Sequence, residues 1–246
     1  MRQPYCRYMK KILFVSKNAP DEIRRKLAAD FDLRLLPSSP RLPEPVASHP
    51  DMLIADIGGE LTVCRYYYEE NKEIFDGVDV TATDESHGSE YPHDVLLNCF
   101  EIGGRVYGRE ASAAEYIKQR AANFVNVKQG YAHCSTLLFG CRAVTADEGI
   151  FKALVCNGVD ALKIRPGEIE LPGYGCGFIG GASFCCDKTV YFFGSLAANP
   201  DGEKIKEFIT SRGYEATELS KSRLLDLGGA AAVASEVCAK GTSEAK

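Results

Sequence analysis

The chain has 246 residues, 45% of them hydrophobic, enough apolar material for one sizeable core or two small ones. With 29 basic against 34 acidic residues the formal charge is −5, which excludes binding of nucleic acid or an anionic membrane by bulk electrostatics. No apolar run approaches the roughly 20 residues of a membrane span, so no membrane partner is expected.

The opening "MRQPYCRYMKKILFVS" has no small-residue cleavage site after its short apolar run, so no signal peptide is expected. Ten cysteines without such a signal point to reduced thiols and a cytoplasmic location. They are scattered, with no Cys-x-x-Cys, so neither a structural zinc site nor any other metal or cofactor is expected. Met9, directly before "KKILFVS", marks an alternative start. Residues 1–8 then read as an N-terminal extension, 9–238 as a single domain, and 239–246 as a polar tail.

"KILFVS" is apolar and β-branched, as a strand requires; "PDEIRRKLAAD" follows as a helix opened by Pro20, and "FDLRLL" alternates like a second strand. The proline-rich "PSSPRLPEPVASHP" reads as a loop. One pattern then recurs: an apolar run, a glycine turn and a second apolar run. It appears in "DMLIADIGGELTVC", "HDVLLNCFEIGGRVYG" and "HCSTLLFGCRAVTA", and in looser form in "GFIGGASFCCDKTVYFFG" and "LLDLGGAAAV". The glycines at 59, 104, 140, 181 and 229 mark a period of about 40 residues, the sign of a repeat architecture.

Helical segments fill the intervals. "SAAEYIKQRAA" offers a capping box in Ser112 and Glu115, "DEGIFKALVCNG" ends at Gly158, and "NPDGEKIKEFITSRG" has Asn199 as cap and Pro200 at the first helical position. "YYYEENKEIFDGVDVTAT" gives a weaker helix and strand, with Tyr66, Tyr67 and Tyr68 read as a strand end or lid. Short alternating strands follow each helix: "FVNVKQ", "DALKIR" and "YEATEL". The unit is strand, strand, helix, strand. The fifth copy lacks its last parts, and the otherwise unassigned N-terminal strand, helix and strand complete it, closing a ring without free edges.

Gly175 to Gly180 spell G-x-G-x-x-G, but a dinucleotide loop must follow a strand and open a helix. Here Pro172 interrupts the preceding strand and the following "ASFCCDKTVYFFG" is strand-like. The expectation is that these glycines allow backbones to approach where repeats meet.

Five such units resemble the pentein β/α-propeller, the fold of guanidino-group-modifying enzymes, and "VKQGYAHCST", "VTADEGI", "GFIGGASF" and "LLDLGGA" resemble an uncharacterised bacterial family assigned to it. The resemblance covers nearly all of the chain after Met9. It implies an α/β, five-bladed pentein-type propeller of ββαβ repeats, closed by the N- and C-terminal segments. The enzymes of that superfamily use a cysteine nucleophile just after the glycines of the last repeat, a histidine in the preceding repeat, and a carboxylate that holds the cationic guanidinium. Here Gly228 and Gly229 are followed by Ala230, Ala231 and Ala232, and the fourth repeat offers Gly177, Phe178 and Ile179 without histidine. Cys238 lies beyond the repeat. The usual Cys-His pair is thus missing.

Polar groups at the strand ends remain as candidates for a small cationic or amino-acid-like ligand: His49, Asp56, Asn98, Lys128, Cys134, Asp147, Cys185 and Asp226, with Glu101, Ser135 and Ser183 nearby in sequence. Each has a plainer reading: Asp147 as a helix N-cap, His49 as a loop residue, Asp56 and Asp226 as partners of glycine turns, Cys134 as a small buried hydrophobe. His133 and Cys134 are adjacent, so on a strand they face opposite sides. Three function classes stay open: a binding protein, a divergent Cys-dependent hydrolase or amidinotransferase using Cys134 or Cys185, and a non-catalytic protein-interaction factor like the ribosome anti-association factor of the same fold.

Overall fold

The apolar run after Lys10 forms β1 (Lys11–Ser16), α1 (Asp21–Asp30) follows, and β2 (Phe31–Leu36) returns parallel to β1, in a computed structural model that describes residues 10–233. The expected extension, Cys238 and the tail lie outside the described residues. The proline-rich loop holds one 3-10 turn and ends in a single helical turn, α2 (Pro50–Leu53), with its proline at the first position.

Four units of one kind then succeed each other. The first is β3 (Ile54–Ile57), β4 (Glu60–Cys64), α3 (Arg65–Glu70) and β5 (Val80–Thr83). The second is β6 (Phe100–Ile102), β7 (Arg105–Gly108), α4 (Glu115–Arg120) and β8 (Phe124–Asn126). The third is β9 (Thr136–Phe139), β10 (Arg142–Thr145), α5 (Glu148–Cys156) and β11 (Asp160–Lys163). The fourth is β12 (Ser183–Cys186), β13 (Thr189–Phe192), α6 (Gly202–Thr210) and β14 (Glu215–Glu218). In each, the middle strand pairs antiparallel with the first and parallel with the last.

The two ends of the described residues build the fifth sheet. Strand β15 (Ala231–Val233) pairs antiparallel with β1, giving the order β15-β1-β2. The described residues thus form five three-stranded sheets. The second residue of β1 lies opposite the last of β15, in the register Ile12 to Val233.

The buried core falls into clusters that each straddle two sheets. Ala55 and Cys64 of the first unit pack with Leu97, Val106 and Ile117 of the second. Phe100 and Tyr107 of the second pack with Ala143, Ile150 and Leu154 of the third, the last two being neighbours on one face of α5. Phe139 and Val144 pack with Val190, Ile205 and Ile209, and Phe184 and Phe193 pack with Val15, Ile23 and Leu27. Phe14 of β1 then packs with Met52 of α2 and with Leu61 and Tyr67 of the first unit. The sequence of clusters returns to where it began.

Several local expectations change in the structure. The glycine pairs are of two kinds. Gly58-Gly59 and Gly103-Gly104 have positive φ and join antiparallel strands as two-residue hairpins, with Gly140 and Cys141 at the same place in the third unit. In the fourth unit that place is taken by Asp187, at φ 54°, and Lys188, while Gly180-Gly181 precede the first strand. Gly228-Gly229 precede β15 in the same way, so the repeat glycines read in one register mix two structural roles. The capping box of α4 does not form. Ser112 Oγ donates to the Arg109 carbonyl, and the Glu85 carboxylate instead accepts from the Glu115 and Tyr116 N–H groups at 3.0 and 3.3 Å. Asn199 and Pro200 precede the start of α6, whose N-cap is Asp201. The three tyrosines lie in α3 and Tyr67 is buried against Phe75, a core element and not a lid.

Candidate functional site

The residues immediately before the first strand of each unit meet one another. Asp51 N–H donates to the Gly228 carbonyl at 3.1 Å, and Asn98 Nδ2 donates to the Asp51 carbonyl at 3.0 Å. Asn98 Oδ1 accepts from the N–H groups of His133 at 2.8 Å and Cys134 at 3.3 Å. Gly181 N–H donates to the Cys134 carbonyl at 3.0 Å, and Leu227 and Gly229 N–H groups donate to the Gly181 carbonyl. Five segments far apart in sequence are thereby linked in one circuit that ends where it starts.

Close approach requires glycine at particular points of this circuit. A Cβ on Gly180 would stand 2.4 to 2.6 Å from three backbone carbonyl oxygens, and one on Gly181 would stand 1.9 Å from Asp226 Oδ1. Gly175, the first glycine of the G-x-G-x-x-G stretch, has open space around its Cβ position. The stretch neither follows a strand nor opens a helix. Its second glycine, Gly177, packs against Asp226, which accepts from Phe178 N–H at 2.8 Å and Gly228 N–H at 3.0 Å, and its third, Gly180, packs against the backbone carbonyls of His133, Cys134 and Thr136.

The circuit encloses a buried polar cluster. His49 Nδ1 lies 3.7 Å from Asp226 Oδ1, and both side chains are almost fully buried. Burial pushes the His49 imidazole down to about 4, so the pair is not a charged one at neutral pH. Burial likewise pushes Asp226 up to about 6, offset in part by its two N–H donors. Asp51 is 3% exposed, and its carboxyl is pushed up to about 8, first by burial and then by the Asp226 charge. Neither Asp51 oxygen accepts a hydrogen bond of good geometry; the Cys134 thiol alongside offsets only part of the burial. Asn98 Nδ2 reaches Cys134 Sγ at 3.0 Å.

On one side of this cluster lies a cavity of about 240 Å³. Asp51, His133 and Gly229 lie along it, as do Ile54, Phe100 and Leu137, and Asp56 and Glu101 lie on the first strands of their sheets. Asp56 is open to solvent, yet crowding by surrounding protein and then the Glu101 charge push its carboxyl upward. Cys185 lines the cavity with its thiol pushed up to about 11 by burial. Cys134 is held still further from ionisation, by burial and by the Asp51 and Asp226 charges. Neither sulfur is an activated nucleophile in this arrangement. Among the described residues no lysine or arginine lines the cavity, and no group of three or more His, Cys, Asp or Glu side chains could hold a metal ion.

Of the residues singled out from sequence, the structure brings His49, Asn98, Cys134 and Asp226 into the buried cluster and places Asp56 and Cys185 along the cavity. Lys128 is exposed and lies outside the cavity lining. Asp147 caps α5, its Oδ1 accepting from Ile150 N–H at 2.8 Å. His133 lines the cavity while Cys134 belongs to the buried cluster behind it. Sequence reasoning missed Asp51. The available signal was its position: an acid directly before an apolar run, where the other units have Asn98 and Cys134.

A family model described as "Family of unknown function (DUF6873)" matches residues 14–231. The chain belongs to that family. No curated protein matches the sequence. Among solved structures, this member of the family is similar to a dimethylarginine dimethylaminohydrolase adduct with S-methyl-L-thiocitrulline. That match has 14% identity over 86% of this chain and 93% of the other, with a TM-score of 0.51. An adduct of dimethylarginine dimethylaminohydrolase with 4-chloro-2-hydroxymethylpyridine gives 15% identity over the same shares and a TM-score of 0.52. SxtG, an amidinotransferase from Microseira wollei in the saxitoxin biosynthetic pathway, gives 12% identity over 92% of this chain and 82% of the other, with a TM-score of 0.54. At such identities the likeness establishes fold: a mixed α/β architecture of five small sheets, shared with these pentein-superfamily enzymes. Among the described residues no helix is long and apolar enough to cross a membrane.

Proposed function

We propose that the chain is a five-bladed pentein-type propeller whose central channel binds a small cationic ligand of guanidino or amino-acid-like chemistry, without the standard hydrolysis of that superfamily. The ring is supported by the β15-β1-β2 sheet, by apolar clusters that each straddle two neighbouring sheets, and by the closed hydrogen-bond circuit at the centre.

The observation that carries the ligand reading is the cavity itself. Asp51, Asp56 and Glu101 line it and no basic side chain does. A cation entering it would meet carboxylates alone, in surroundings where charge interactions exceed their value in water. Catalysis by the usual route is opposed by Ala230, Ala231 and Ala232 where the superfamily's nucleophile would stand. It is opposed again by the protonated state of Cys134 and Cys185. Solved structures of similar fold include a dimethylarginine dimethylaminohydrolase and an amidinotransferase, which makes guanidino compounds and amines the first ligands to try.

Thermal unfolding in the presence of arginine, agmatine, methylated arginines, citrulline, ornithine and creatine, with product analysis on any hit, tests this. A ligand at 100 times its dissociation constant stabilises by about 2.7 kcal/mol, a rise in Tm of roughly 5 to 10 °C for a chain of this size. Stabilisation without turnover is the expected result. Turnover would revive Cys185 as a nucleophile, and silence across the cations would remove the channel reading in favour of a docking protein.

A further inference from the structure

The hydroxyl groups that line the cavity have no proton to spare. Thr136 Oγ1 donates to the Ala132 carbonyl at 2.9 Å and Ser183 Oγ to the Ile179 carbonyl at 2.6 Å, so each lining hydroxyl has already used its proton. The Asp51 and Gly229 N–H groups are spent on the circuit. His133 Nδ1 is enclosed and without a partner, and burial keeps the ring neutral, pushed down to about 4. Both Asp51 oxygens are buried and unpartnered. With the Asp51 proton given up and the His133 proton on Nε2, this end of the cavity holds three acceptors without a partner, the number of donors a primary ammonium carries.

The other acidic groups stand apart from that end. Asp56 is the third residue of β3, the strand that directly follows the helical turn carrying Asp51. Glu101 faces the same part of the cavity and is close enough to raise the Asp56 carboxyl. Ile54, Phe100 and Leu137 contribute apolar wall. At about 240 Å³ the space is below the roughly 300–1,000 Å³ of pockets that take drug-sized ligands. A ligand with its own carboxylate would find no cation to meet it.

We propose that the occupant is a linear α,ω-diamine or polyamine, with one ammonium held by Asp51 and His133, the other by Asp56 and Glu101, and the methylene chain along Ile54, Phe100 and Leu137. This rests on the reading of the channel as a cation site and narrows it: the ligand is a dication without a carboxylate, not an amino acid. Methylenes against the apolar wall add the hydrophobic share that a bare inorganic cation lacks.

Isothermal titration of the full chain with putrescine, cadaverine, spermidine, n-butylamine and ornithine separates the possibilities. The diamines should bind about tenfold more tightly than butylamine or ornithine, the difference of one charge-assisted contact. Asp51→Asn should weaken every amine. Glu101→Gln, on a partly exposed side chain that keeps an oxygen for the Gly58 N–H it accepts from at 2.6 Å, should weaken the diamines about tenfold and leave butylamine unchanged. Ornithine or arginine binding more tightly than the diamines would overturn the diamine assignment while leaving a cation site in place. Equal affinity for butylamine and putrescine would do the same. No binding by any cation would overturn both.

Discussion

Glycine at 180 and 181 is a packing requirement, and its consequence can be measured one side chain at a time. Gly181→Ala would drive a methyl group into Asp226, which is held by two backbone N–H groups and is 2% exposed, leaving it no free direction of retreat. Gly180→Ala would meet backbone oxygens, which move less readily than side chains. Each should destabilise by about 3 kcal/mol or more, the upper end for overpacking. Gly175→Ala, with open space at that position, should change the unfolding midpoint in denaturant by almost nothing. Equal effects at 175 and 181 would contradict the packing account. The same residues show why the Gly-rich stretch resembles a nucleotide loop in sequence: both need close backbone approach, and the composition does not say whether the approaching group is a phosphate or a neighbouring strand.

Helix α4 shows an element whose start is set from outside itself. The Glu85 carboxylate, thirty residues upstream, takes the first two N–H groups of its first turn. Glu85→Ala should cost about 1 kcal/mol of stability, the usual value of a lost cap, while Ser112→Ala should be close to neutral, and chemical denaturation of the two variants checks the pair. A larger loss at Ser112 than at Glu85 would restore the capping box. Local patterning made most strands and helices readable because alternation and the i, i+4 spacing of Ile150 and Leu154 follow directly from which face is buried. Contacts between distant segments were not readable. The Glu85 cap, the meeting of Asp51 with Gly228 and the substitution of Asp187-Lys188 for a glycine hairpin all depend on which unit lies beside which. Lys128 and Asp147 show the reverse, polar residues at strand and helix ends that face solvent or a cap and not the centre.

For the molecule as a whole, the buried titratable groups set a pH optimum. His49, His87 and His133 are each pushed down to about 4 from an ordinary 6.5, while Asp51 and Asp226 are pushed up to about 8 and about 6 from an ordinary 3.8. Between about pH 4 and 6, unfolding takes up three protons on the histidines and releases two from the aspartates, so stability rises with pH. From about 6.5 to 8 only the Asp51 proton remains, bound in the folded state and lost on unfolding, so stability falls by about 1.4 kcal/mol per unit. The Tm of the unliganded chain should therefore peak between about pH 6 and 7. Asp51→Asn should abolish the decline toward pH 8, and a wild-type Tm still rising there would refute the assignment. A cation on Asp51 would ionise it and expel its proton, so affinity for an amine should strengthen over the range in which the empty protein weakens.

The sheet shared by β15 and β1 brings Ile12 and Val233 face to face, so the two ends of the described chain are neighbours in the same ladder. Topologically the molecule has no privileged first residue. A short linker across that junction, with new termini opened at an exposed hairpin such as Gly103-Gly104, would yield a circular permutant in which every sheet keeps its partners. The order of the units along the chain is then one of several equivalent ways of writing the same five sheets.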